Sequence, residues 1–160
     1  MTNFRALLEA LENESVEFIL VGGMAATVHG SIRTTRDLDI VYSRRPENIS
    51  KLVNALRPLS PRLRGAPEGL PFRFDVPTVS AGLNFTLTTD AGAIDALGEI
   101  AGGGVYESLL PYSQAISILN ASCRVVTLDK LIELKRAAGR PRDLEMIAEL
   151  EALREERDRR

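Results

Sequence analysis

The sequence predicts an α/β (α+β) fold: a small, mixed and twisted sheet with flanking helices and a C-terminal helical segment. Short apolar runs recur along the chain, and such runs are typical of buried strands. Longer runs between them carry apolar residues three and four positions apart, as amphipathic helices do. The chain has 160 residues, of which 44% are hydrophobic and 26% charged, so it is long enough to build one core.

Each predicted element of the first hundred residues has its own signal. Apolar residues at helical spacing predict the helices; Gly30 suits the end of one and Pro46 the start of the next. Apolar runs, or alternation of apolar and polar residues, predict the strands. In order, these elements are a helix over residues 2–13, a strand over 16–21, a short helix over 24–29, a strand over 37–42, a helix from 46, and strands over 83–88 and 93–97.

The remaining segments are predicted in the same way. Residues 58–77 are rich in Pro, Gly and Arg and show no period, which predicts a long loop with room for one short edge strand. Further along, the sequence predicts a helical turn over 106–110, strands over 115–119 and 124–126, a helix over 128–139, a last helix from Pro141, and fraying over 151–160. We therefore expect a domain over residues 1–126 and a helical segment over 127–160 packed on it.

Composition limits the classes of function. The formal net charge of −2 provides no general attraction to nucleic acids or acidic membranes, so any such contact needs a local basic patch. The one cysteine, Cys123, excludes an intramolecular disulfide and is expected to be a buried, inert thiol. The charged, amphipathic N-terminus is unlike a signal peptide, and no apolar run approaches membrane-spanning length, so we expect a cytoplasmic protein without a membrane partner.

Two motifs in the first forty residues suggest chemistry. Gly22 and Gly23 lie between an apolar strand and a helix, where backbone N–H groups can meet a phosphate. Asp37 and Asp39 are two positions apart in an apolar strand, so they share one face of it. Carboxylates held in that way suit a hard divalent cation such as Mg²⁺. The alternatives are a pair of solvated acids on an exposed strand edge, or acids that cap a turn.

A third acid, Asp95, lies inside the apolar strand at 93–97. An aspartate there is costly unless it is paired with a base or bound to a cation. Either a metal or base role or an arginine partner at the strand end would satisfy it. Asp90, in a hairpin turn, and Asp75, beside a proline, are weaker candidates.

These motifs resemble the nucleotidyltransferase superfamily related to DNA polymerase beta. Its signature is an apolar residue, Gly-Gly or Gly-Ser, a short spacer and then Asp-x-Asp in an apolar strand, and residues 21–23 and 37–41 match it. Residues 34–39 and a later block at 134–144 are similar to small prokaryotic members. These are the minimal nucleotidyltransferases and the toxins of abortive-infection type IV toxin–antitoxin pairs. The resemblance covers most of the chain.

The resemblance implies a polymerase-beta-like fold and a metal-dependent enzyme that moves a nucleoside monophosphate from a nucleoside triphosphate to a hydroxyl. Mg²⁺ or Mn²⁺ would be held by Asp37, Asp39 and Asp95, and Asp95 would also activate the acceptor. Gly22 and Gly23 would hold the phosphates, although many relatives carry a serine in place of Gly23. The acceptor would be an RNA, such as a tRNA end, or a protein side chain, and a cognate antitoxin would be a partner.

Basic residues complete the predicted site. Arg33 and Arg36 precede the acidic strand, and each either contacts phosphate or forms a plain salt bridge. Lys135, Arg140 and Arg142 belong to the later block, where the resemblance implies phosphate or RNA contacts; the alternative is a solvated helix turn with an Arg–Asp pair. His29, the one histidine, is expected to be structural.

Two other functions remain open at this point. One is a non-catalytic binding module or antitoxin-like partner on the same fold. The other is an antibiotic-modifying nucleotidyltransferase whose acceptor site is the loop at 58–77. That loop offers a cationic drug few acids, Glu68 and Asp75 at most.

Overall fold

The computed structural model describes residues 1–67 and 69–160, so Glu68 in the predicted loop lies outside the described residues. The helices are α1 (Phe4–Asn13), α2 (Gly22–Val28), α3 (Pro46–Leu56), α4 (Val76–Ala81), α5 (Tyr106–Leu109), α6 (Leu128–Ala138) and α7 (Pro141–Asp158). The strands are β1 (Phe18–Val21), β2 (Asp37–Tyr42), β3 (Arg62–Leu63), β4 (Asn84–Thr89), β5 (Gly92–Leu97), β6 (Glu99–Ile100), β7 (Gly104–Val105), β8 (Ser113–Ile118) and β9 (Ala121–Val126).

A seven-stranded sheet runs through the protein in the order β3-β4-β5-β2-β1-β9-β8. Strand β2 pairs with β5 in parallel and with β1 in antiparallel fashion, and β1 pairs with β9 in parallel. The outer pairs β3–β4, β4–β5 and β8–β9 are antiparallel. The sheet is therefore mixed and flanked by helices, which confirms the predicted fold class.

Strand β2 shows how the sequence pattern places the acids. Leu38 and Ile40 are fully buried, whereas Asp37 and Asp39, which alternate with them along the strand, are partly exposed. Burying the two apolar side chains fixes the register of the strand, because a slip of one residue would exchange its two faces. The other face of β2 therefore has to present the two carboxylates.

The limits of α6 and the start of α7 agree with the sequence prediction. The Thr127 side chain accepts a hydrogen bond from the Lys130 backbone N–H at the start of α6. Gly139 ends that helix with φ +67°, and Pro141 is the first residue of α7. Helix α6 packs on α7 and on α2.

Three short or terminal regions differ from the sequence prediction. Helix α4 lies partly in the predicted loop, where the Asp75 side chain caps it by accepting a hydrogen bond from the Thr78 backbone N–H. Strands β6 and β7 form a separate hairpin, and two-residue strands are too short to show a period. The predicted fraying of 151–160 is wrong, because α7 continues to Asp158 and is tied to α6 by ion pairs such as Arg136–Glu151. The short edge strand expected in the loop is β3.

Across residues 1–67 and 69–160, no helix has both the length and the apolar character needed to cross a membrane.

Asn48 is a buried polar residue that links three parts of the core. Asn48 is only 1% exposed, and its Oδ1 accepts a hydrogen bond of 2.7 Å from the Glu17 backbone N–H. Its Nδ2 donates to the carbonyls of Glu17, at 3.0 Å, and Ser43, at 2.8 Å. One amide thus joins α3 to the chain entering β1 and leaving β2.

We expect Asn48→Ala to lower the free energy of unfolding by about 2–4 kcal/mol, since it leaves buried backbone groups without partners. Urea unfolding followed by circular dichroism measures this. Asn54→Ala is the matched control, because Asn54 is exposed in the same helix and should change stability by less than about 0.5 kcal/mol. Equal losses in the two variants would contradict the role of the amide.

Candidate active site

The three acids predicted from the sequence lie together on one face of the sheet. The parallel pairing of β2 and β5 sets Asp39 directly opposite Asp95, with Asp37 one step along the same face. One carboxylate oxygen from each of the three lies within 4.8 Å of the others. Strand pairing therefore builds a compact acid cluster from residues more than fifty positions apart.

The two glycines lie directly beside this cluster. Helix α2 begins at Gly22, so the glycines form its first turn rather than a turn before it. Gly22 has φ +67°, and a Cβ atom there would collide with the carboxylate of Asp39, with Cγ at 2.8 Å. A side chain at this position would thus displace a member of the acid cluster. Position 22 therefore requires glycine for a steric reason as well as for its backbone conformation.

Thr35 occupies the space beside Gly23. A Cβ atom on Gly23 would come within 2.8 Å of Thr35 Cβ and 2.5 Å of its hydroxyl oxygen. The Thr35 hydroxyl donates to the Asp37 carbonyl at 3.3 Å. A serine at position 23 would have to displace Thr35, which itself brings a hydroxyl to this place from the neighbouring loop.

Arg64 is a component of the cluster that the sequence analysis missed. Its Nη1 lies 3.0 Å from Asp95 Oδ1 and 3.6 Å from Asp37 Oδ2. Several arginines lie in the segment at 57–73, and no pattern in the sequence distinguishes this one. Only the pairing of β3 with β4 brings it to the acids.

Asp39 has the most perturbed environment of the three acids. Burial, followed by the charges of Asp95 and Asp37, raises the pKa of Asp39 to about 7. Its Oδ1 is buried and accepts no hydrogen bond from any described residue, and the same holds for Asp95 Oδ1, whose ion pair with Arg64 lacks hydrogen-bond alignment. Converging, unsatisfied carboxylate oxygens fit a hard divalent cation.

The C-terminal block brings positive charge to the same cavity. Asp143, 2% exposed, accepts a hydrogen bond of 2.8 Å from Arg140 Nε and lies 3.6 Å from Lys135 Nζ. Burial opposes its charged form, but hydrogen bonds from Arg140 and the charges of both bases hold the pKa of Asp143 below its usual value. The alternative interpretation of this block, a solvated turn with an Arg–Asp pair, is wrong for Asp143: Arg140 is half exposed, but Asp143 is buried and holds both Arg140 and Lys135.

A cavity of about 560 Å³ is lined by the three acids of the cluster and by Lys135, Arg140 and Asp143. Arg36 lines it together with the acid cluster. Arg33 also lines it but is paired with Glu149 at 3.5 Å and Glu145 at 3.8 Å. His29 lies elsewhere, with Nε2 2.7 Å from the Val126 carbonyl, a contact that links α2 to the end of β9. The cavity is thus acidic on its sheet side and basic on the side of the loop and helices.

A solved structure similar to this chain is that of a putative nucleotidyltransferase from Thermotoga maritima. The two share 16% sequence identity with a TM-score of 0.54, over 98% of this chain and 91% of the other. At that identity the likeness shows a common fold. No protein-family model matches the chain, and no curated protein matches it in sequence.

We expect Gly22→Ala to destabilise the protein more than Gly139→Ala. Both glycines have φ +67°, which costs an L-residue about 1–2 kcal/mol. Only Gly22 faces the Asp39 carboxylate, whereas a Cβ on Gly139 meets its nearest atom, the Arg136 carbonyl oxygen, at an ordinary 3.7 Å. The excess loss for Gly22→Ala should be about 1–3 kcal/mol in chemical unfolding. Equal losses of unfolding free energy in the two variants would show that the Asp39 carboxylate moves aside without an energetic cost.

We expect Asp39→Asn to stabilise the metal-free protein at alkaline pH. Burial and the two neighbouring acids raise the pKa of Asp39 to about 7 in the folded protein, whereas its ordinary pKa in the unfolded chain is 3.8. Stability contributed by this group therefore falls as pH rises from about 4 to 7 and then levels off. In EDTA, the stability of the variant relative to wild type should rise by about 2–3 kcal/mol between pH 5 and pH 8. A difference between variant and wild type that stays constant from pH 5 to pH 8 would contradict this prediction.

Proposed function

We propose that this protein is a metal-dependent nucleotidyltransferase, which moves a nucleoside monophosphate from a nucleoside triphosphate to a hydroxyl acceptor. The observation that carries the proposal is the convergence of Asp37, Asp39 and Asp95 beside the backbone of Gly22. The fold shared with a putative nucleotidyltransferase supports it. The fold alone would not, because one fold hosts many activities.

Asp37, Asp39 and Asp95 would hold Mg²⁺ or Mn²⁺. When bound, the ion neutralises phosphate charge and lowers the pKa of the attacking hydroxyl. The chain's own contribution is a rigid set of oxygens on two hydrogen-bonded strands. Because burial and its neighbours raise the pKa of Asp39 to about 7, binding the ion there would also release a proton and strengthen as pH rises.

The triphosphate would lie between the acids and the basic side of the cavity. Gly22 and Gly23 would donate backbone N–H groups, and the hydroxyl of Thr35 lies beside them. Lys135 and Arg140 would bind phosphate from the opposite side, held in place by Asp143. Arg36 would contribute a further positive charge. The leaving pyrophosphate would take up the negative charge that these groups stabilise.

Asp95 would accept the proton of the acceptor hydroxyl. It lies on β5, at the side of the cluster nearest to β4 and to the segment that carries Arg64. We propose an RNA end or a protein side chain as acceptor, in the manner of the toxin-like nucleotidyltransferases, with a cognate antitoxin as partner and the cytoplasm as compartment. The cavity beside Arg64 is also lined by Arg62, which disfavours a cationic antibiotic as acceptor.

One observation favours a second candidate, a non-catalytic binding module on the same fold. Arg64 neutralises part of the acid cluster, as an arginine would in a purely structural ion-pair network. In such a module the acids would never bind metal, and neither divalent cation nor nucleotide would change the protein.

The test is transfer of label from each of the four α-³²P nucleoside triphosphates, with Mg²⁺ or Mn²⁺, to total tRNA and to protein. We expect metal-dependent label that Asp39→Asn abolishes and that Asp95→Asn lowers by about 10²–10⁴-fold, the usual contribution of a general base. Asp90→Asn should retain wild-type activity, because Asp90 lies exposed at the far end of the same hairpin.

Calorimetry separates the two candidates if no label is found. Nucleotide binding that depends on metal and on Asp39 would retain the enzyme and direct the search to other acceptors. The absence of both metal binding and nucleotide binding would reject the enzyme and favour the binding module.

A further inference from the structure

Arg64 reaches the acid cluster from the edge of the sheet. Its backbone N–H donates to the Thr86 carbonyl at 2.9 Å, which continues the pairing of β3 with β4 by one residue. Its Nη2 donates to the Leu87 carbonyl, while Nη1 points to Asp95 and Asp37. The backbone is therefore anchored to β4, and the guanidinium extends across the sheet to the acids.

The guanidinium lies against carboxylate oxygens that a metal ion would need as ligands. Nη1 lies 3.0 Å from Asp95 Oδ1, which is buried and forms no aligned hydrogen bond with any described residue. Mg²⁺ binds carboxylate oxygens at about 2.0–2.1 Å. An ion held among three oxygens that lie within 4.8 Å of one another would be only a few ångströms from this guanidinium. Two positive groups so close repel strongly in a partly buried site.

We propose that Arg64 is a built-in counter-ion that positions Asp95 and Asp37 in the metal-free protein and competes with the divalent cation for their oxygens. Binding of the ion then requires the guanidinium to leave the cluster. This inference rests on the proposed metal site and adds a residue that sets its affinity.

The surroundings of Arg64 permit that movement. The side chain is 29% exposed and borders a cavity of about 390 Å³ lined by residues 62–67, 69, 70, 72 and 88. Gly65 follows it with φ +79°, and a Cβ atom built there would meet nothing within 4 Å. The guanidinium can therefore rotate away from Asp95 toward this cavity while the β3–β4 backbone pairing stays intact, and the movement breaks its hydrogen bond to the Leu87 carbonyl.

The test compares Mn²⁺ binding to wild type, Arg64→Gln and Arg62→Gln by isothermal titration calorimetry. Removing the competing charge should make Mn²⁺ bind about fivefold or more tightly to Arg64→Gln. Arg62→Gln is the matched control: Arg62 is two residues away on the same edge, exposed and paired with Asp90 at 3.4 Å, and its loss should leave Mn²⁺ affinity unchanged. Asp39→Asn identifies the site by abolishing binding.

Thermal unfolding supplies a second readout. Saturating Mn²⁺ should raise the melting temperature of Arg64→Gln by more than that of wild type, because the metal then replaces the missing counter-ion. If Arg64 were purely structural, Arg64→Gln would instead lower the melting temperature by the same amount with and without Mn²⁺.

Two negative results are distinguishable. Mn²⁺ binding that needs Asp39 but is equal or weaker in Arg64→Gln would overturn the competition and leave the proposed function intact. Failure of every variant to bind Mn²⁺ would overturn the metal site itself, and the competition with it.

Discussion

The parallel pairing of β2 with β5 sets Asp39 opposite Asp95, and most of the candidate site is arranged around the resulting crowding of negative charge. Like charges on adjacent strands destabilise a sheet unless they are compensated. Here the register cannot shift, because Leu38 and Ile40 on the other face are fully buried. The core therefore holds the carboxylates together, and burial, followed by their mutual repulsion, raises the pKa of Asp39.

Compensation comes from parts of the chain that are distant in sequence. Arg64, from the edge of the sheet, contacts two of the acids directly. Lys135 and Arg140 bring positive charge from the junction of α6 and α7, where Asp143 keeps them in place. The acidic side of the site thus lies on the strands, and the basic side lies on helix ends and a loop. This division suits phosphate chemistry, in which metal ligands must stay fixed while groups that bind substrate adjust.

Close packing explains the small residues around the acids. Gly22 lets the start of α2 approach Asp39, and Gly23 leaves room for Thr35. The backbone of the β1–α2 junction consequently lies against the carboxylates with no side chain between them. A phosphate bound there would meet backbone N–H groups and the acid cluster at once, which links the two sequence motifs physically. The common fold with the Thermotoga maritima protein agrees with this layout but does not specify its chemistry.

Local periodicity in the sequence is enough to predict the order of the long elements, the buried face of β2, and the shared face of Asp37 and Asp39. It also singled out Asp95, because an acid inside an apolar strand needs a partner. Tertiary structure alone decided the rest. Arg64 became part of the site through strand pairing, and contacts with α6 extended α7 past the predicted fraying. Such contacts join residues far apart in the chain, so no local pattern encodes them.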